Sequence, residues 1–215
     1  MKVVLAGASG FVGKAILKEL LQKGHDITGV VRDAKNLEPQ KGLVIKEMDV
    51  NNVDEFAEVI TGNDAVISAF NAGWTNPNLY EDFLKGSQAI QDAVKKSGIN
   101  RLLIVGGAGS LFIDGKQLVD SPDFPEAYKA GATAARDYLN DLKNETELDW
   151  VFVSPAVEMH PGTSGSRRGT YRTGSDNPVF DENGKSIISV EDLAVAIVDE
   201  MEKPAHHRER FTVAY

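Results

Sequence analysis

The sequence of 215 residues contains no cysteine. That removes disulfides, thiolate metal sites and a cysteine nucleophile together. No apolar run approaches the roughly 20 residues that a bilayer-spanning helix needs, and the apolar part of residues 1–6 is too short for an export signal. Positive charge is also scarce: 23 Lys and Arg stand against 32 Asp and Glu, a formal net charge of -9. A nucleic-acid surface needs the opposite sign. The pair His206-His207, just after Pro204, has no acidic spacing suited to a metal, so none is expected. What remains is a cytoplasmic protein with neither membrane nor nucleic-acid partner, a monomer or homodimer whose partner is a small molecule. With 42% hydrophobic and 26% charged residues, 1–215 reads as one globular domain.

Short β-branched runs alternate with longer segments of helical periodicity, the pattern of an α/β fold. Strands are predicted at 2–6, 26–31, 43–48, 64–70, 101–105 and 149–154, and helices at 11–23, 52–60, 79–97 and 125–144. Crossovers through helices return parallel, so the expected fold is a doubly wound, mostly parallel sheet in the order 3-2-1-4-5-6. Residues 155–187 are rich in Gly, Ser, Pro and Asn, with short strand candidates at 169–172 and 185–188. They predict an irregular, substrate-facing segment. A last helix starts at Ser189, where Ser189-Val190-Glu191-Asp192 resembles a capping box, and Phe211-Thr212-Val213 predicts a C-terminal edge strand.

Between the first strand and the first helix stands Gly7-Ala8-Ser9-Gly10-Phe11-Val12-Gly13. One glycine permits the tight turn, the second lets backbone approach a pyrophosphate, and the third lets helix and strand pack closely. The amides opening the helix, at Phe11, Val12 and Gly13, are free to bind phosphate. The arrangement predicts a dinucleotide site. Strand two ends in Arg32-Asp33: Arg32 suits the 2′-phosphate of NADP(H), Asp33 the 2′-hydroxyl of NAD(H), and NADP(H) is favoured. At the end of strand three, Asp49-Val50 reaches the adenine region, although Asp49 equally suits a helix cap. Ala69-Phe70-Asn71 follows strand four along the cofactor. After strand five, Gly106-Gly107-Ala108-Gly109-Ser110 sets Gly107 and Ala108 beside the cofactor and Ser110 over the nicotinamide, as candidate catalytic residue or as plain turn. His160 is a candidate proton donor or substrate contact, or an ordinary loop histidine. Arg167 and Arg168 are candidates for an anionic substrate group such as the tail of FMN, or a solvated basic turn.

These motifs resemble the atypical short-chain dehydrogenase/reductase superfamily, in its NmrA-like group of NADH-flavin reductases near the biliverdin-IXβ/flavin reductases. The carriers are Gly7 to Gly13 in the G-x-x-G-x-x-G spacing of extended members, Val31-Arg32-Asp33, Asp64-Ala65-Val66-Ile67, Asn71-Ala72-Gly73, Val105 to Leu111, Asp149 to Pro155, and Ile188 to Ala194 with Arg210-Phe211-Thr212-Val213. The resemblance implies a Rossmann fold, a nicotinamide cofactor lying against Asn71 and Pro155, and reduction of a flavin, quinone or similar planar acceptor. The flavin would be a released substrate, not a retained prosthetic group. It also allows an NADP(H)-sensing regulator without turnover and, less well, an epimerase or dehydratase. One departure matters. The Y-x-x-x-K motif reads Tyr128-Lys129-Ala130-Gly131-Ala132 here, with Ala132 where lysine would lower the tyrosine pKa. The acid–base pair for carbonyl reduction is missing, whereas flavin reduction by stacked rings does not need it.

Overall fold

A computed structural model of the chain describes residues 1–215. Its core is a parallel sheet of β1 (Lys2–Ala6), β2 (Asp26–Val31), β3 (Leu43–Glu47), β4 (Ala65–Ser68), β5 (Arg101–Val105) and a later strand, β8 (Asp149–Ser154). The order is β3-β2-β1-β4-β5-β8, as the alternating pattern predicts. β1 and β4 pair directly, Val3 opposite Ala65 through Ala6 opposite Ser68. The winding therefore reverses between them, and a crevice opens at their carboxyl ends. All of β4 and four of the five residues of β1 are buried, which explains their continuous apolar runs.

Helices cover both faces. α1 (Phe11–Gln22) and α5 (Val190–Glu202) pack together on one, while α2 (Val53–Ile60), α3 (Leu79–Ser97) and α4 (Glu126–Leu142) cover the other. The two apolar clusters hold 25 and 24 buried residues, so neither face is the minor one and the sheet is doubly wound. α3 ends at Gly98 with φ 77°, a left-handed terminus that suits glycine. α5 starts where Ser189 Oγ accepts from the Asp192 amide, so that part of the predicted capping box is real.

The carboxyl-terminal part departs from expectation. The last strand, β10 (Glu209–Ala214), is interior: it pairs parallel with β8 and antiparallel with the short β9 (Arg172–Gly174), which forms the edge. Five of the six β10 residues are buried, a pattern an uncovered edge could not have. The strand candidate at 169–172 shifts to β9, and that at 185–188 shrinks to a single bridge between Glu158 and Ile187. A small hairpin, β6 (Phe112–Ile113) and β7 (Lys116–Gln117), follows β5. Its turn is Asp114-Gly115, with φ of 50° and 77°. No helix is long and apolar enough to cross a membrane, and no group of His, Asp and Glu is arranged to hold a metal ion.

Candidate dinucleotide site

The turn after β1 separates what the fold demands from what a ligand demands. Gly7 has φ +77°, and a Cβ there would lie 2.4 Å from the Ala69 carbonyl oxygen. A Cβ on Gly13 would come within 2.0 Å of the Gly7 oxygen. Both glycines are required by the packing of turn, helix and neighbouring loop. Gly10 is not: its φ of -72° and ψ of 171° are ordinary, and a Cβ would sit 3.4 Å from the Gly7 oxygen. Gly10 is exposed and lines the crevice. It also occupies the N-cap of α1 without a side-chain cap, leaving the opening amides for an external acceptor. No acidic residue stands in the first turn of α1, whereas α2, α3, α4 and α5 each carry at least one. A carboxylate there would compete with a phosphate.

The crevice has a volume of about 330 Å3 and is lined by Gly7, Ser9 and Gly10, then Arg32, Asp49 and Val50, then Ala69, Phe70 and Asn71. Nine predicted cofactor residues thus converge from the ends of four strands. Arg32 is exposed there and is left out of the ion pairs of the chain. Asp33 is spent elsewhere: its Oδ1 accepts from the Lys35 amide at 3.0 Å and caps the turn Ala34–Asn36. Asp49 has a double position. Its Oδ1 accepts from the backbone and side-chain nitrogens of Asn51, at 2.9 and 2.8 Å, while the residue still lines the crevice. The N-cap of α2 is Asn52. Phe70 lends backbone, because its ring is drawn towards α3, 6.1 Å from the Phe83 ring and in contact with Gly86.

Phe11, Val12 and Gly13 flank the lining on the first turn of α1. Gly107 and Ala108 lie half-buried past β5, and Pro155 is buried past β8. β5 neighbours β4 and β8 neighbours β5, so the three positions follow the crevice along the same carboxyl edge of the sheet. The structure also shows Asn76, Asp82 and Lys85 at the wall. Their sequence signal is faint, because Asp82 and Lys85 read as the solvated face of a helix. Asn76 donates to Asp82 at 2.8 Å and shapes the loop after β4.

Four other candidates fall outside this arrangement. Ser110 is only 2% exposed. Its Oγ accepts from buried Arg210 at 3.1 Å and lies 3.4 Å from the Ser154 hydroxyl, so it is locked beneath the loop and not presented over a ring. Arg167 grips the buried Glu19 carboxylate through two bonds of 2.8 and 2.7 Å. Arg168 lies 3.7 Å above the Tyr215 ring. His160 accepts from the Gly162 amide at 3.0 Å and caps a short turn. The expected substrate-facing loop is a strap over α1 and α5: Asp192 accepts from the amides of Arg168 and Gly169, and Glu191 from that of Gly165. Burial pushes the Asp192 carboxyl up, but hydrogen bonds from Tyr215, the Arg168 and Gly169 amides and Ser189 outweigh it and hold the group below the usual range.

Fold and crevice together define a dinucleotide-binding protein of the Rossmann class. A family model described as NAD(P)H-binding matches residues 7–204, and the chain belongs to that family. Within the short-chain dehydrogenase/reductase superfamily it is of the atypical, NmrA-like kind. It is 40% identical to the Bacillus subtilis uncharacterized protein YwnB over 99% of this chain and 98% of that one. A solved "putative epimerase" from Bacteroides thetaiotaomicron is 49% identical, with TM-score 0.91, covering 100% of this chain and 96% of the other. A "putative NADH-flavin reductase" from Streptococcus pneumoniae is 36% identical, with TM-score 0.87, over 100% and 99%.

Proposed function

We propose that the protein is an NAD(P)H-dependent oxidoreductase that favours NADPH and reduces a flavin, quinone or similar flat acceptor directly. One observation carries the reading. Tyr128 stands in the first turn of α4, more than half exposed, and the residue one turn on is Ala132. A well-formed cofactor crevice is thus coupled to an incomplete acid–base pair, which suits an acceptor whose reduction needs no positioned acid. When bound, the nicotinamide supplies a hydride, and the acceptor takes its proton from solvent.

The chain's own contribution is binding and alignment. The α1 amides and Gly10 hold the pyrophosphate, Arg32 holds the 2′-phosphate, and Asp49 faces the adenine. Gly107 and Ala108 offer little side chain, leaving flat space at the nicotinamide end. The name of the Bacteroides neighbour would favour epimerisation. That chemistry calls on the tyrosine–lysine pair, which Ala132 removes.

The test is steady-state NADPH oxidation by the purified protein with a panel of flavins, quinones and tetrapyrroles. Saturable oxidation with a flat acceptor is the expected result. Tight NADPH binding with no oxidation above background would replace the reductase reading with that of an NADP(H)-responsive regulator.

A further inference from the structure

The chain has two tryptophans in opposite settings: Trp150 is 2% exposed and Trp74 is 57% exposed. The Trp74 ring meets Tyr128, itself 52% exposed, edge to face at 5.5 Å and 86°. This exposed pair is built. A Cβ on Gly131, inside α4, would fall 2.9 Å from Trp74 Cζ3 and 3.2 Å from Leu79 Cδ2. Glycine is unfavourable inside a helix; here its missing side chain lets the indole lie against α4. The loop carrying Trp74 is pinned on both sides. Asn71 Oδ1 accepts from the Gly73 amide at 2.7 Å, and the Asn76 amide donates to the Gly73 carbonyl at 3.0 Å.

The pair also sits in the right place. Asn71 and Ala72, just before Trp74, line the crevice. One turn beyond Tyr128, Ala132 packs on Gly109, whose Cβ would lie 3.0 Å from the Ala132 Cβ. Indole and phenol therefore stand about one helical turn from the point where α4 packs on the turn Ala108–Ser110. Exposed Phe11, Ile113 and Val157 likewise lie on segments that follow the carboxyl ends of β1, β5 and β8. The guanidiniums of Arg167 and Arg168 are occupied by Glu19 and Tyr215.

We propose that Trp74, braced by Tyr128, is the stacking wall for the acceptor, and that the acceptor is recognised by its neutral planar ring and not by an anionic tail. This rests on the reductase reading and narrows it to acceptors such as riboflavin or a naphthoquinone, with FMN gaining nothing from its phosphate. Stacking on an aromatic wall tolerates varied rings, since each presents a π-face.

The test uses Trp74 as its own reporter. With NADP+ present to prevent turnover, 1,4-naphthoquinone should quench the exposed tryptophan emission saturably, leave the Trp150 component unchanged, and lose that effect in Trp74→Phe. In turnover, Trp74→Ala should raise KM for riboflavin and naphthoquinone about tenfold or more, with the calorimetric NADPH Kd unchanged. Gly131→Ala, which retains the indole but displaces it, should raise the same KM. Saturable quenching without NADPH oxidation would uphold the wall and refute the reductase reading. Oxidation with an acceptor KM indifferent to both Trp74→Ala and Gly131→Ala would refute the wall and leave the reductase reading standing.

Discussion

Gly10 and Gly13 are separated by two residues, and alanine at each should fail in a different way. At Gly13 a methyl group would face the Gly7 carbonyl oxygen at 2.0 Å, inside a turn that is itself held against Ala69. No rotamer relieves a clash with backbone, so the cost belongs at or above the top of the overpacking range, about 3 kcal/mol. In a chain of this length that lowers Tm by roughly 6–12 °C. At Gly10 the backbone is already extended and the nearest atom is 3.4 Å away. The lost chain entropy of the unfolded state and the poorer N-cap oppose each other, and stability should change by less than about 1 kcal/mol. The methyl group would instead occupy the space where the pyrophosphate meets the α1 amides. Thermal unfolding with and without NADPH reads both effects. A bound cofactor raises stability by about 2.7 kcal/mol at a hundredfold excess over Kd. Gly10→Ala should keep the wild-type Tm and lose most of that rise; Gly13→Ala should lose Tm itself. A Gly10→Ala protein that retains the full NADPH-induced rise would refute the assignment of this turn to the pyrophosphate.

Arg32→Ala should weaken NADPH by about 1–3 kcal/mol and leave NADH nearly unchanged; equal calorimetric affinities of the wild type for the two cofactors would remove the NADP(H) preference. Tyr128→Phe keeps the ring edge and removes the hydroxyl, so kcat should stay within a few-fold; a loss of a hundredfold or more would mark Tyr128 as a general acid. Arg167→Ala strands the buried Glu19 carboxylate and should cost about 1–3 kcal/mol of stability with no change in KM for FMN; a selective rise in that KM would return Arg167 to the substrate. Burial tends to raise the Glu145 pKa, but bonds from the Glu147 amide, Gln91, Lys95 and the Leu148 amide hold it at about 2. A depressed folded-state pKa stabilises above the unfolded value and is lost as pH falls towards the folded one. Tm should therefore drop between about pH 5 and 2, less steeply in Glu145→Gln; identical pH profiles would assign the acid sensitivity to other carboxylates.

The parts of the fold visible in the sequence are those set by short-range rules. Gly7 to Gly13 could be read because strand, turn and helix are contiguous, and Arg32, Asp49 and Asn71 because each comes within a few residues of the end of a parallel strand. The hairpin at Asp114-Gly115 carried a local signal, an Asp-Gly pair in a two-residue turn, but it lay inside a stretch otherwise read as glycine-rich loop. Features decided by partners far along the chain could not be read. Arg167 looks like a free cation until α1 brings Glu19 to it across 148 residues. Ser110 looks like an exposed turn residue until Arg210 reaches it from β10. β10 resembles an edge strand because the three residues of β9 that cover it carry almost no strand signal.

The same distinction bears on how the site could change its substrate. The cofactor end is made mostly of backbone: the α1 amides, the carbonyl-crowded glycines and the small residues after β4 and β5. Apart from Arg32 and Asp49, side-chain substitution changes little there unless it introduces bulk. The other end, at Trp74 and Tyr128, is made of side chains seated by tertiary contacts with Gly131 and Leu79. Exchanging either ring would alter which molecule fits without disturbing the turn that holds the cofactor. Close structural neighbours can then share the crevice and differ in acceptor, as the different activities named for the Bacteroides and Streptococcus proteins would require. For this chain, the acceptor is to be sought in the chemistry of residues 74 and 128, because the glycine turn fixes the cofactor class and nothing further.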